Sequence, residues 1–583
     1  MSRFCAALFF ISFAAVVRAA DPFAGYFYPS GIQAGTTNRV IVGGQAIRRL
    51  GGIHFDSAGL RVLGIETVPF FTPPPGTQRK HLVKWLDGIA AGNRTEPPKP
   101  DDPHISEWRS NSWWRILGEL DALKLSIVER YLFVPRNTLQ SSPSLSQMTI
   151  VTIAAASDVR PGVYSAWLWD GNGISAPHPF LVSGGERVAE PLYTPPHRPA
   201  AEPETVEVSD GGVVLDGQIM PGETDSFRLR LQKPVKYRFK VTARELQPYI
   251  GDAVPGFFNP AIVIRDGKGE VVASADDRAR FRPDPVLDFR PKESGVYTLE
   301  IHDVLYRGRA DFVYAISVSP CAVPSAAARP AARNAENGEG GIFRGVVPKP
   351  GAVSKCSFAV DAPGPRVFEV TARAKGSPLD AVLTLRRESD GRILAVWDDV
   401  TNKIFTGTIP QAECDPAGRY DFAESGRYTA EISDRTGHGG AGYFWKLAVR
   451  EPKRDFRVYS ARSVLPLYRG GTRKVDFIID RKDGFVGDVT LEFPKKISAK
   501  NNVFTGGVER ITAELKYRVR EKIDCRPVEV FARAEIDGRT VRRKVTPCDE
   551  CEQAFAWTHL VPAKTFLMRV LPWKKPAKKI PVR

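Results

Sequence analysis

Glu293-Ser-Gly-Val-Tyr-Thr-Leu-Glu-Ile-His-Asp303 returns about 130 residues later as Glu424-Ser-Gly-Arg-Tyr-Thr-Ala-Glu-Ile-Ser-Asp434, with eight of eleven positions identical. A second pair precedes it, also about 130 residues apart: Phe239-Lys-Val-Thr-Ala-Arg244 and Phe368-Glu-Val-Thr-Ala-Arg373. Two matched pairs at nearly the same spacing mean that a whole domain has been duplicated. Within the first copy Tyr297, Leu299 and Ile301 alternate with Thr298, Glu300 and His302, and Tyr237, Phe239 and Val241 with Arg238, Lys240 and Thr242. That period of two predicts antiparallel strands with one buried face.

Working outward, the copies span 205–320 and 342–450, joined by an Ala/Pro/Gly-rich linker over 321–341. Pro260-Ala-Ile-Val-Ile-Arg265 matches Asp380-Ala-Val-Leu-Thr-Leu385, and Asp276-Asp277 matches Asp398-Asp399. The closing strands are Tyr314-Ala-Ile-Ser-Val318 and Trp445-Lys-Leu-Ala-Val449. Together these features resemble the bacterial pre-peptidase C-terminal domain. The resemblance implies a β-sandwich that accompanies secreted proteases and also occurs in non-proteolytic exported proteins. Some relatives bind calcium through an acidic Glu-Pro-Asn segment. The equivalent stretch here, Glu202-Pro-Glu-Thr-Val-Glu-Val-Ser-Asp210, lacks the asparagines, and the second copy lacks the segment. Asp276, Asp277, Asp398 and Asp399 are the metal candidates, with calcium as the ion that paired carboxylates would take. The competing reading is that they cap turns by accepting backbone amides. No other cofactor is expected.

Upstream, residues 21–186 open with Tyr28-Pro-Ser-Gly-Ile-Gln-Ala-Gly35 and close with Arg160-Pro-Gly-Val-Tyr-Ser-Ala-Trp-Leu-Trp-Asp-Gly-Asn-Gly173. Both ends resemble the immunoglobulin-like TIG domain of bacterial surface proteins. Val163, Ser165, Trp167 and Trp169 fall on one face of the closing strand, and Tyr164, Ala166 and Leu168 on the other. An insert over 72–135 carries helical periodicity: Leu82, Val83, Leu86 and Ile89, then Trp113, Ile116, Leu117, Leu120 and Leu123. Ser126-Ile-Val-Glu129 reads as a capping box for a further helix. Arg79, Lys80 and Lys84 make the first helix basic. The Pro-rich linker 187–204 reads as extended and semi-rigid.

Downstream, residues 453–572 carry Arg481-Lys-Asp-Gly-Phe-Val-Gly487 and Ala554-Phe-Ala-Trp-Thr-His-Leu-Val-Pro562. They resemble the immunoglobulin-like module that follows such repeats. Asp537-Gly538 predicts a two-residue hairpin turn with Ile536 facing Arg539 and Val530 facing Val545. Val528 then falls opposite Pro547 and Pro527 opposite Cys548, so the two prolines lie one step apart and both strands leave the ladder near one level. That register brings Cys525 near Cys548 and Cys551, and a disulfide from Cys525 to one of them would clamp the open end. Cys356 and Cys414 are a second candidate pair inside the second copy. The basic tail 573–583 reads as a disordered end.

Residues 1–19 have the form of a secretory signal: Arg3, the apolar Cys5–Val17 run and Val17-Arg-Ala19 before the cleavage point. Its removal takes away two arginines and no acid, leaving a net charge of +14 and six cysteines, an even count that suits an oxidising compartment. No later run is long and apolar enough to cross a bilayer as a helix. The chain carries no His-Glu-x-x-His, Gly-x-Ser-x-Gly or Walker pattern. Cys548-Asp-Glu-Cys551 lies at a strand end, not at the helix N-terminus that would activate a thiol.

The expectation is an all-β chain of four tandem sandwiches, immunoglobulin-like or jelly-roll-like, the first with a helical insert. It would be exported to the periplasm, cell surface or exterior and would be no enzyme. It would act as a binding or scaffolding protein on an unknown envelope protein, with no nucleic acid partner. The alternatives are a polysaccharide- or matrix-binding protein, which requires aromatics aligned on an exposed sheet face, and an accessory subunit of a secreted hydrolase.

Overall fold

The computed structural model describes residues 21–69, 76–93, 117–134, 142–198, 203–248, 257–276, 284–321, 341–399, 415–468, 471–517, 525–553 and 557–571. The signal segment, the 321–341 linker apart from its two end residues, the basic tail, Asp277, Cys414, Trp113 and Ile116 lie outside them.

The first domain pairs two four-stranded sheets. Its strands are β1 (Phe23–Tyr28), β2 (Gly31–Gln33), β3 (Thr37–Gln45), β4 (Gly52–Phe55), β5 (Leu60–Thr67), β6 (Gln147–Ala155), β7 (Gly162–Trp169) and β8 (His178–Ser183). Their orders are β1-β3-β6-β5 and β2-β8-β7-β4. Val40, Val42, Ile153, Leu168 and Phe180 fill the space between the sheets. Helices α1 (Gly76–Ala90) and α2 (Ala122–Phe133) come between β5 and β6. Leu82, Leu86, Ile127 and Leu132 pack on the outer face of the first sheet, against Tyr26, Ile41 and Ile150. The cap of α2 is Asp121, which accepts the Lys124 amide at 2.9 Å. The expected box at Ser126 is instead interior to the helix, because an aspartate five residues upstream already satisfies a first-turn donor.

The first repeat comprises β9 (Glu186–Ala189), β10 (Thr205–Glu207), β11 (Val213–Gln218), β12 (Asp225–Leu231), β13 (Lys236–Thr242), β14 (Pro260–Arg265), β15 (Val271–Ala275), β16 (Val286–Phe289), β17 (Gly295–Asp303) and β18 (Val313–Cys321). Its sheets run β10-β12-β17-β14-β15 and β16-β13-β18-β11-β9. The second repeat comprises β19 (Ile342–Val346), β20 (Val353–Val360), β21 (Gly364–Thr371), β22 (Ala381–Arg387), β23 (Ile393–Trp397), β24 (Ala417–Phe422), β25 (Gly426–Asp434) and β26 (Phe444–Arg450). Its orders, β20-β25-β22-β23 and β24-β21-β26-β19, reproduce the first repeat strand for strand once edge strands β9 and β10 are removed. Even the bulge recurs, at Ile264/Arg265 and at Leu385/Arg386. The linker over 187–204 is therefore not a plain spacer. Its first residues join the repeat's sheet as β9, parallel to β11. Further on, Arg198 reaches Glu129 of α2 at 2.6 Å and Asp87 of α1 at 2.8 Å.

The last domain holds β27 (Asp455–Ser460), β28 (Val464–Tyr468), β29 (Thr472–Lys482), β30 (Val489–Glu492), β31 (Ile497–Lys500), β32 (Val503–Phe504), β33 (Arg510–Tyr517), β34 (Arg526–Val528), β35 (Phe531–Ile536), β36 (Arg539–Lys544), β37 (Cys548–Gln553), β38 (Trp557–Pro562) and β39 (Phe566–Leu571). Sheets β27-β29-β33-β31, β28-β39-β34 and β32-β30-β35-β36 enclose one core, with Phe477, Leu491, Leu515 and Met568 among its residues. The hairpin has Ile536 opposite Arg539, and Val545 donates to Val530 at 2.9 Å. Asp537 and Gly538 both take positive φ, 49° and 72°, as a type I′ turn requires.

Neighbours in sequence touch, and so do two domains far apart in it. The first domain touches the first repeat on one side, where Leu246 and Val313 join the cluster under α1 and α2. On the other side it touches the last domain, where Trp167 and Ile174 meet Val464 and Leu567. The second repeat is tied to the last domain by Arg450, whose guanidinium lies 2.6 Å from Asp483.

Candidate functional site

Asp398 and Asp399 follow β23 and converge with Asp380 at the start of β22, so that one carboxylate oxygen from each lies within 4.8 Å of the others. Two guanidinium groups share the cluster. Arg373 approaches Asp380 at 2.8 Å and Asp399 at 3.9 Å, and Arg435 pairs with Asp398. Burial, then the neighbouring Asp380 and Asp398 charges, pushes the Asp399 carboxyl above the usual range. Calcium takes six to eight oxygens. Here two arginines stand where further oxygen ligands would be needed, so the residues fit an ion pair network better than the cation. The first repeat does not rebuild the triad, since the strand registers place Asn259 where the second repeat has Asp380. Asp276 directly follows β15, and Asp277 lies outside the described residues.

The acids that hold the repeats together are others, which the sequence reading passed over. Asp284 accepts the amides of Ala243, Arg244 and Glu245 at 2.7–3.0 Å. Asp415 accepts those of Ala372, Arg373 and Ala374 at 2.8–3.2 Å. Each carboxylate caps the short 3₁₀ turn after Val-Thr-Ala-Arg. Asp303 and Asp434 do the same for the loop after β17 and β25, and each also receives an amide from the start of the β14 or β22 segment, Asn259 and Asp380. The recurring Ser-Gly-x-Tyr ends in a corner: Tyr297 donates to the Glu293 carbonyl and Tyr428 to that of Glu424, both at 2.9 Å. Tyr164 in the first domain repeats the geometry on Arg160 at 2.8 Å. Aspartates thus cap turns in both repeats, at positions other than Asp276, Asp277, Asp398 and Asp399.

The thiol expectations need correction. Cys356, Cys548 and Cys551 are unbridged. Burial pushes each of them up to about 12, with Asp549 adding to both members of the Cys548/Cys551 motif and Glu550 to Cys551. They are therefore protonated and unreactive at neutral pH. Cys548 and Cys551 are three apart on β37, so they point to opposite faces. The clamp from Cys525 fails because the hairpin strands part company at the predicted level but enter different sheets. β34 turns to pair with β39, and β37 leaves to pair with β38. Cys525 ends beside Trp167 and Leu567 and accepts from Arg569 at 3.8 Å, whereas Cys548 packs with Tyr459 and Ile478. Cys414, the other half of the second pair, lies outside the described residues.

Two seams between domains carry the densest polar chemistry. Between the first domain and the first repeat, Asp216 is fully buried. It accepts the Ser30 hydroxyl at 2.6 Å and the Arg187 guanidinium at 2.6 and 3.0 Å. The adjoining cleft is lined by Tyr26, Ser30, His178 and Gln247 and has no room for a small molecule. Between the first and last domains, Arg569 lies 4.1 Å over the Trp169 ring and donates to the Asp170 carbonyl at 2.9 Å. Lys564 reaches Asp56 at 3.0 Å. The basic helix α1 uses Arg79 inward, on the Leu132 carbonyl at 2.7 Å.

No protein family and no curated protein matches this chain. Among solved structures, it overlaps the fibronectin(III)-like modules of Clostridium thermocellum CbhA at 10% identity and TM-score 0.12, covering 37% of this chain and 95% of that one. The native conformation of E. coli alpha-2-macroglobulin gives 8% identity and 0.13, covering 92% and 30%. The ICAM-5 D1-D4 ectodomain gives 9% and 0.11, covering 94% and 100%. At such scores these likenesses carry no argument. The paired sheets described above establish a multidomain β-sandwich protein.

Proposed function

We propose that this is an exported, non-enzymatic scaffolding protein that holds other proteins through main-chain contacts at the edges of its two repeats. In this reading the repeats are of the pre-peptidase C-terminal type, the flanking domains are TIG-like and immunoglobulin-like, and residues 1–19 direct export. One observation carries it. β15 and β23 are the outermost strands of equivalent sheets, and among the described residues no strand pairs with their outer edges. Val271-Val-Ala-Ser-Ala275 and Ile393-Leu-Ala-Val-Trp397 hold no charged residue, and Val271, Val272, Ile393 and Val396 are exposed. Natural edge strands are ordinarily blunted with charge or proline. Two edges without charge or proline in duplicate positions, each interrupted by one bulge, suit the addition of an extended segment from a partner protein.

The supporting background is that the aspartates and tyrosines described above are spent on turns, corners and seams. Among the described residues the exposed large aromatics are Tyr306 and Phe444, in different repeats, so the row of aromatics that a polysaccharide reader requires gains no support. The test is affinity capture from envelope extract by the wild type and by the double variant Val272→Lys/Val396→Lys. A specific protein held by the wild type and lost from the variant is expected. Equal retention by both would remove the edges from the reading.

A further inference from the structure

We propose that the outer edge of β19 in the second repeat is a docking slot for an extended acidic segment of a partner protein, which adds to it as a parallel strand in the way that β9 adds to β11 in the first repeat. On the scaffolding reading above the guest is a protein segment; the edge is a different one from β15 and β23.

The first repeat holds such a strand. Glu186–Ala189 pairs in parallel with Val213–Asp216. Side chains alternate along it. Val188 packs against the core of the sandwich, and Arg187 lies on the outer face, where its guanidinium meets the Asp216 carboxylate at 2.6 and 3.0 Å. Both members of that ion pair are buried. The added strand is thus held by main-chain bonds, one apolar residue turned inward and one charge turned outward.

The second repeat presents the same edge. Gly217 and Gly345 each lie against the large ring of the closing strand, Tyr314 and Trp445, and this aligns β11 with β19. Leu215 then corresponds to Phe343, both in the core, and Asp216 to Arg344. β19 pairs with β26 on one side, and among the described residues no strand pairs with its other edge.

The outward charge has changed sign. Arg344 is exposed where Asp216 is buried. Directly across the ladder from Arg344 stands Lys446, a second cation, where the first repeat has Ala315. Like charges directly opposite one another are unfavourable. Among the described residues neither Arg344 nor Lys446 is paired with an acid. A carboxylate at the position of Arg187 rebuilds the first repeat's ion pair with the signs exchanged and relieves that repulsion. The guest is therefore an extended segment with an acid before an apolar residue, Glu-Val or Asp-Val in place of Arg187-Val188. Main-chain pairing supplies the hold, and the acid selects the guest.

Two synthetic peptides test this on the full chain by fluorescence anisotropy at low salt: residues 184–190, and the same peptide carrying Arg187→Glu. The acidic peptide should bind at least tenfold tighter than the unchanged one. In the protein variant Arg344→Glu that preference should reverse. Lys446→Glu should cut the acidic peptide's advantage at least threefold, and it stands in if Arg344→Glu does not fold. Val188→Pro/Ala189→Pro in the acidic peptide removes main-chain donors and should abolish binding. The protein variant Val272→Lys/Val396→Lys should leave both affinities within twofold. Equal affinity for the two peptides, an unreversed preference in Arg344→Glu, or binding by the proline peptide would each overturn the assignment. Loss of binding in Val272→Lys/Val396→Lys would move the guest to β15 and β23, overturning this slot while leaving the scaffolding reading in place.

Discussion

At position 415 an aspartate collects three amide hydrogens of a turn some forty residues away, and Asp284 does the same in the first copy. Removing such a carboxylate strands buried donors, at about 1–3 kcal/mol in all. Asp415→Ala should lower the unfolding free energy of the second repeat by that amount, read from urea denaturation, with Asp284→Ala acting on the first. The signal was in the sequence as a duplicated Asp-Pro, Asp284-Pro285 and Asp415-Pro416. Adjacent acids drew the attention instead, because nothing local tells which carboxylate will lie under a distant turn. His178 is a second residue whose role is set by its surroundings. It is buried between the carbonyls of Pro179 and Gly25 and against the Phe27 ring. Burial pushes its imidazole down to about 4. A depressed histidine favours the neutral form in the folded state. Its contribution is present above the ordinary value near 6.5 and is lost as pH falls towards 4, to a limit of about 3 kcal/mol. The wild type should lose more stability than His178→Gln between pH 7 and pH 4.5, measured by thermal unfolding. Equal losses would show that another group titrates.

Elements followed their periodicities closely wherever one face is buried. The strands over Tyr237–Val241 and Tyr297–Ile301, the helix around Leu82 and Leu86, and the Asp537-Gly538 hairpin form in the expected register. Local chemistry suffices there: a period-two apolar face fixes register, and two positive-φ residues fix the turn. Prolines also marked the right level for the end of the hairpin. What they could not specify is where each strand goes next. Past Val530 the choice between β39 and β38 as partners depends on the other sheets of the domain, and with it went the expected Cys525 bridge. The linker over 187–204 shows the same limit. Glu186–Ala189 becomes a strand only because β11 offers an open edge.

For the molecule as a whole, the closing strand of the first domain holds the lesson. Trp167 and Trp169 form an apolar face opposite Ala166 and Leu168, and a strand apolar on both faces must be covered on both. The sandwich interior covers one, and the last domain, some 300 residues away in sequence, covers the other. Arg569 over Trp169 in a desolvated seam is worth about 2 kcal/mol. Arg569→Ala should therefore shift docking of the two domains roughly 30-fold towards the open form, seen as a larger radius of gyration by small-angle scattering. An unchanged radius would mean that the Trp167–Leu567 contact suffices alone.

The sequence by itself determined the duplication, the all-β class, the helical insert and the strand registers, because each rests on contacts between near neighbours or on a repeated pattern. Only the tertiary structure decided which acids cap which turns, which sheet each strand enters, and that the first domain is held between the first repeat and the last domain. Those outcomes depend on surfaces that become complementary only once distant strands have paired and the water between them has gone.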